Sequence, residues 1–251
     1  MSAFAEALEG GAPRTLIIDI ETAPNVVYTW GLREQNVALN QIVEPGRTIC
    51  WAAKWYADPE VIFRSEHHDG RDDMIAEAWR LIDAADIVVG YNHRAFDLKH
   101  LNAEFVREGY GPPAPHLDVD LLTVARRRFR FPSNKLDWVA RELGVSHKVT
   151  HSGFDLWRGC LAGDTEAWAT MRRYNEHDVV LTEQVYDQLR GWVPNHPPVT
   201  LWRDGYTADE CRACGAGNLE PYGYRYTATR RYPLFRCGGC GAHTTGKKAD
   251  R

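Results

Sequence analysis

The chain has 251 residues, 44% apolar, 11% aromatic and 25% charged, which excludes a disordered tract and suits one packed domain of about 150 to 200 residues plus a smaller module. No run approaches the roughly 18 apolar residues of a membrane span, and MSAFAEALEGGAPR lacks the basic start and apolar core of a secretory leader, so a cytoplasmic protein with no membrane partner is expected. The net charge of −4 is uneven: residues 200–251 carry nine Lys/Arg against five Asp/Glu, the preceding residues 21 against 29, so the tail suits an anionic partner and the body bound cations.

The predicted elements begin with TLIIDIET, a short β-branched apolar run read as a central first strand. After a loop containing Pro24 and Gly31, Arg47–Tyr56 and Glu60–Glu66 read as a hairpin across a turn at Asp58 and Pro59. A helix starting at Asp72 or Asp73, a strand at Asp86–Asn92, a helix over Phe96, Leu98, Leu101 and Phe105 that Gly109 closes, and a strand at His116–Leu122 follow. Helices are then expected over Leu122–Phe129, over KLDWVARELGV, and from about Asp164 to Trp192 with a bend near Met171. Strands first in a hairpin, then alternating with helices, predict an α/β fold with one five-stranded mixed sheet. The expected organisation is an N-terminal extension (1–13), a main domain (14–192), a proline-containing linker (193–199) and a small C-terminal module (200–251).

Strand alternation puts Asp19 and Glu21 on one face, where two ionised carboxylates repel each other and resist burial unless a divalent cation joins them. An edge strand with both acids in water is the alternative. Asp97 stands in NHRAFD where a strand passes into a helix, as a helix-start residue or as a ligand at the crevice end of an α/β sheet. Tyr174 and Asp178, four apart in YNEHD, share a helical face with Met171, Leu181 and Val185, so Asp178 is either a border acid half in water or a charge that needs a partner.

In that order, Asp19-Ile-Glu21, Asn92-His-Arg-Ala-Phe96-Asp97 and Tyr174-Asn-Glu-His-Asp178 resemble the three motifs of the DEDD 3′-5′ exonucleases, the group of polymerase proofreading domains and epsilon-subunit-like nucleases. The resemblance spans roughly residues 14–192, and RTICWAAKW and KLDWVARELGV are similar to epsilon-like exonucleases of actinobacterial phages. It implies a ribonuclease H-like fold, two Mg²⁺ or Mn²⁺ ions held by Asp19, Glu21, Asp97 and Asp178, and the subtype in which a tyrosine, here Tyr174, orients the attacking water. In the histidine subtype that residue stands five before the last Asp, which here is Arg173. His177 is turned about 100° from Asp178 around the helix and is not that group.

Thr22 and Asn92 are candidate contacts to the terminal nucleotide, although a strand-end hydroxyl and a brace for the Asp97 turn are their plainer roles. Asp118 is an ordinary strand-end acid or a supporting partner of the site, and Arg126–Arg130 is a phosphate track or a solvated helix end. Cys50 and Cys160 read as plain thiols.

CRACG and CGGCG place Cys211, Cys214, Cys237 and Cys240 as two CxxC pairs, which suit one structural tetrahedral Zn²⁺ and resemble a zinc ribbon. Between them, Tyr222–Arg236 interleaves rings with Arg225, Arg230 and Arg231, a composition for stacking bases and meeting phosphates. A protein docking surface, for a DNA polymerase or another replisome protein, is the rival. The whole predicts a 3′-5′ exonuclease on single-stranded or frayed DNA 3′ ends, in proofreading, repair or recombination, in the host cytoplasm if phage-encoded. An exoribonuclease, or a catalytically idle nucleic-acid or replisome adaptor, is the alternative.

Overall fold

The computed structural model describes residues 11–33, 36–145, 153–203, 205, 209–246 and 248–250; of the expected N-terminal extension, residues 1–10 lie outside the described residues. In chain order the elements are β1 (Thr15–Thr22), β2 (Val26–Val27), β3 (Ile42–Glu44), β4 (Thr48–Trp55), β5 (Ile62–Ser65), α1 (Arg71–Asp83), β6 (Ile87–Gly90), α2 (Asp97–Arg107) and β7 (Leu117–Asp120). They continue with α3 (Leu121–Arg128), α4 (Leu136–Glu142), α5 (Phe154–Leu161), α6 (Thr165–Leu189), β8 (Leu219–Tyr226), β9 (Arg231–Cys237) and β10 (His243–Thr245). Among the described residues no helix is long and apolar enough to cross a membrane.

The predicted five-stranded mixed sheet is present, in the order β5-β4-β1-β6-β7. β1 is its centre, antiparallel to β4 and parallel to β6. Alternation sorts its side chains between two cores. Leu16, Ile18 and Ile20 pack with Trp51, Met74, Ile82, Leu101 and Phe105 under α1 and α2. Ile17 packs on the other side with Ile49, Ala52, Trp168, Met171, Val179 and Val185, beneath α6. Lys54, opposite Ile17 in the register and 5% exposed, ion-pairs with Glu183 on α6, so that even the charge on this face is matched. Asp19 and Glu21 follow Ile17 in the alternation and therefore face α6 rather than open water.

Several boundaries differ from the sequence expectations for local reasons. The strand expected to reach Asn92 stops at Gly90, because the chain turns at Asn92 with φ +72°, a left-handed conformation that asparagine tolerates. The helix expected from Asp72 or Asp73 begins at Arg71, after Gly70. The long helix runs through Met171 unbroken, opened by Asp164, whose carboxylate accepts from the amides of Glu166 and Ala167. It ends at Leu189 in a short 3₁₀ turn, Arg190–Trp192. The β2–β3 ribbon and α5 were not expected.

β8, β9 and β10 form a second sheet, ordered β10-β9-β8. The proline-containing segment before it is pinned at several points. His196 stacks on Tyr186 at 5.8 Å, and the amide of Val199 donates to the carbonyl of Arg212 at 2.8 Å. A Cβ on Gly191 would come 2.2 Å from the carbonyl oxygen of Cys240, so glycine lets the 3₁₀ turn lie directly against a cysteine knuckle.

Candidate active site and cysteine cluster

Four carboxylates from three elements meet at the end of β1. Asp19 and Glu21 come from β1, Asp97 from the first residue of α2, and Asp178 from the middle of α6. Asp19 is densely surrounded although one edge opens to solvent. Burial pushes its carboxyl well above the usual range, and the charges of Asp97, Glu21 and Asp178 push it further.

Each acid is held by something local. Pairing of β1 with β6 ends at Ile17 and Val89, and the amide of Ile20 donates instead to Asp97 Oδ1 at 3.0 Å. Asp97 is 3% exposed, and burial raises its pKa to about 6 against the lowering effect of that bond. It is thus both the helix-start residue and an acid of the cluster. Asn175, fully buried on α6, donates through Nδ2 to Asp19 Oδ2 at 2.7 Å and to the Asp19 carbonyl at 3.2 Å. Tyr174 donates its hydroxyl to Asp178, and burial plus the charges of Asp178, Glu21 and Asp19 drive its pKa upward, so the phenol stays protonated.

The turn that carries Asp97 is buttressed from below. His93, fully buried, shares its Nε2 with Asp118 Oδ1 at 3.0 Å. Burial alone would raise Asp118, but the His93 hydrogen bond and the charges of His93, His116 and Arg94 hold it below the usual carboxylate range. Asp120 accepts from the amides of Asn92 and Thr123. Asn92 itself braces the turn, its carbonyl accepting from Ala95 and Phe96.

A cleft of about 490 Å³, lined by Tyr91, Arg126, Asn134, Lys135, Tyr174 and Asp178, opens beside the acids. Arg126 is the member of the arginine run that reaches it. Arg128 instead donates to the Trp192 carbonyl at 3.2 Å. Thr22, at a register shift of β1 against β4, lines a second cleft of about 400 Å³ with Pro24, Phe154 and Trp157, and Trp157 stands edge-on to Tyr174 at 6.4 Å. His177 lines neither cleft.

A family model of the RNase H superfamily matches residues 16–190. The chain belongs to the RNase H superfamily. Among solved structures, the family B DNA polymerase from the hyperthermophilic archaeon Pyrobaculum calidifontis is similar at 20% identity and a TM-score of 0.55, over 71% of this chain and 25% of that one. At that identity the likeness shows the fold alone, and the matched region is a quarter of the polymerase's length. No curated protein matches the sequence.

Outside the region matched to the RNase H superfamily lie the four cysteines. Their sulfurs lie within 4.8 Å of one another, the one such group of metal-ligating side chains among the described residues. Cys211 and Cys240 approach to 3.6 Å, as do Cys214 and Cys237. The Cys240 thiol, then the backbone amides of Cys214 and Ala213, hold Cys211 down to about 4 despite burial. The donor set and spacing fit one tetrahedral zinc ion. The carboxylates gather less closely than the sulfurs.

Of the expected contacts in the cysteine-bearing region, Arg225 on β8 and Arg230 in the turn before β9 are exposed. Arg231 stacks over Tyr224 at 4.3 Å and pairs with Asp250 at 2.5 Å. Sequence reasoning missed Asn175 and His93, each inside a quoted motif at a position that the motif leaves free.

Proposed function

We propose that this chain is a metal-dependent 3′-5′ exonuclease acting on DNA ends, with a hydrolytic unit at residues 14–192 and a zinc ribbon at 200–251, joined through residues 193–199. The observation that carries the reading is the convergence of Asp19, Glu21, Asp97 and Asp178 on one spot, where burial and then the charges of the other three raise the pKa of Asp19. Such an arrangement is unfavourable in itself and becomes favourable with divalent cations, and an all-oxygen donor set suits Mg²⁺ or Mn²⁺. Bound there, two such ions supply Lewis-acid polarisation of a phosphate and acidification of water.

The protein's own groups supply placement. Asn175 fixes the rotamer of Asp19, and Asp97 ties α2 to β1 through the Ile20 amide. Tyr174, kept protonated, orients a water beside Asp178 and takes no proton from it. Arg126 and Lys135 give the larger cleft two cations for the phosphates of an incoming strand, while Thr22, Phe154 and Trp157 offer a hydroxyl and apolar surface to the terminal nucleotide. DNA rather than RNA as the substrate rests on the resemblance of the three acid motifs to the proofreading exonucleases, since the acids read a phosphodiester and not a 2′-hydroxyl.

The test is a 5′-labelled single strand incubated with the chain and Mn²⁺. Shortening in single steps from the 3′ end, absent in Asp19→Asn and blocked by a 3′ phosphate, is the expected result. Equal inertness of parent and variant would instead favour an adaptor, and faster shortening of a matched RNA would favour an exoribonuclease.

A further inference from the structure

The second sheet carries a feature that hydrolysis at the acids does not use. β8 is exposed along almost its whole length, with Tyr222 58%, Tyr224 42% and Tyr226 70% accessible. Opposite residues of paired strands share a face, and the register shifts between Pro221 and Gly223, so the interleaved rings and cations are divided between two faces. Tyr224 and Tyr226 fall with Pro233 and Arg231, whose guanidinium is already engaged by Tyr224 and Asp250. Arg225, Tyr232, Leu234 and Arg236 fall on the other face, and His243 joins them as the partner of Arg236. Tyr222, the inserted residue, meets His243 edge-on at 4.7 Å across β9 and so belongs to that second face. β10 shows which side is outward, because His243 is exposed and Thr244 is buried.

We propose that the outward face of this sheet, Tyr222, Arg225, Tyr232, Arg236 and His243, is a binding platform for single-stranded nucleic acid. Rings on an exposed sheet face accept bases of any sequence, and two exposed guanidinium groups flank them at the spacing of neighbouring strands. Glu220 is that face's one carboxylate among the described residues, and the excess of Lys/Arg over residues 200–251 attracts a phosphate backbone. The platform needs no chemistry at the acids, so a chain that failed to cut DNA would still hold a strand.

The full zinc-loaded chain carrying Asp19→Asn, titrated against a fluorescein-labelled oligothymidylate and read by anisotropy, tests this. Tyr222→Ala should weaken binding about tenfold and Tyr222→Phe should restore it. Arg225→Ala and Arg236→Ala should each lower the slope of log affinity on log salt by about one. Tyr226→Ala, on the opposite face, should change affinity less than about twofold, within what a peripheral contact does. If Tyr222→Ala retains zinc and full affinity, or if Tyr226→Ala weakens binding as much, the proposal fails and a protein docking face becomes the better account. Should Tyr222→Ala lose zinc, the salt slopes of the two arginine variants decide alone, and unchanged slopes overturn the platform.

Discussion

Four carboxyl groups converge at the end of β1, and four thiols converge at one end of the second sheet, yet the two clusters stand in opposite relation to the fold around them. The acids are imposed on a body that folds for other reasons: two apolar cores enclose β1, and the repulsion among Asp19, Glu21, Asp97 and Asp178 is a cost those cores absorb. The cysteines have no such surroundings. The buried apolar cluster at their sheet consists of Cys211, Ala213, Cys237 and Ala242, so the ligands themselves are its core. A metal at the first site would relieve strain in an existing structure, whereas at the second it would supply the structure.

The largest expected effect follows from that difference. Cys211→Ser should abolish zinc binding and with it the β8–β10 sheet, since metal contributes on the order of 10 kcal/mol to folding in modules of this kind. Zinc analysis and limited proteolysis would read it, with cleavage confined to the C-terminal region and the five-stranded sheet intact. Loss of the whole fold would mean that the two regions are one cooperative unit.

Asp19→Asn should act the other way. Hydrolysis should fall about 10³-fold or more, as loss of several kcal/mol of transition-state stabilisation requires. The metal-free protein should nevertheless become more stable. A carboxyl whose pKa is raised on folding is penalised in its charged form, so the penalty is present at neutral pH and disappears below the ordinary carboxylate pKa. Asparagine removes it, and each kcal/mol relieved should raise the melting midpoint by about 2–4 °C. A lower midpoint would show that Asp19 supports the fold. Asp97 sharpens the test, because its pKa of about 6 puts the onset of its share of the cost between about pH 4 and 6.

Gly90→Ala probes how firmly the acid site is held. A Cβ there would sit 2.6 Å from the Cβ of fully buried His93, beneath the turn that delivers Asp97. Overpacking of this kind costs about 1–3 kcal/mol. Urea unfolding should show that loss, and the rate of hydrolysis should fall with it. A stability loss with an unchanged rate would mean that Asp97 is positioned by the Ile20 amide alone.

How much of this was legible in the sequence depended on whether a residue's neighbours were near in the chain. The first strand and the shared face of Asp19 and Glu21 followed from alternation, and the shared face of Tyr174 and Asp178 from helical spacing, because both periodicities are local. The buried partner of Asp19 was not legible: Asn175 lies 156 residues away, and one more polar residue in YNEHD carries no pattern of its own. His93 is likewise explained only once Asp118 is brought under it. The two- and three-residue strands β2 and β3 are too short for periodicity to register. The phase of α3 was needed to learn that Arg126, rather than Arg128, reaches the cleft. The prolines of residues 193–199 announced a break but not its docking, which depends on contacts with residues distant in the chain.

The smallest expected effect lies where the two regions meet. His196 donates from Nδ1 to the carbonyl of Pro197 at 2.8 Å, which leaves Nε2 to accept from the hydroxyl of Tyr186 at 2.8 Å. That pattern requires a neutral ring. Burial and then the nearby charge of Arg190 lower its pKa to about 4, against the Pro197 bond and Cys211, which pull upward. Unfolding releases a ring of ordinary pKa, about 6.5, so the unfolded chain binds the extra proton first as pH falls. The contribution of His196 is therefore complete above about pH 6.5 and is lost progressively toward pH 4, by about 2 kcal/mol at pH 5. His196→Gln cannot titrate, so the stability difference between parent and variant should narrow by that amount between pH 7 and pH 5. A difference that stayed constant would mean that the ring is solvated, and that the pinned linker which joins the acid-bearing body to the cysteine-built sheet is looser than its contacts imply.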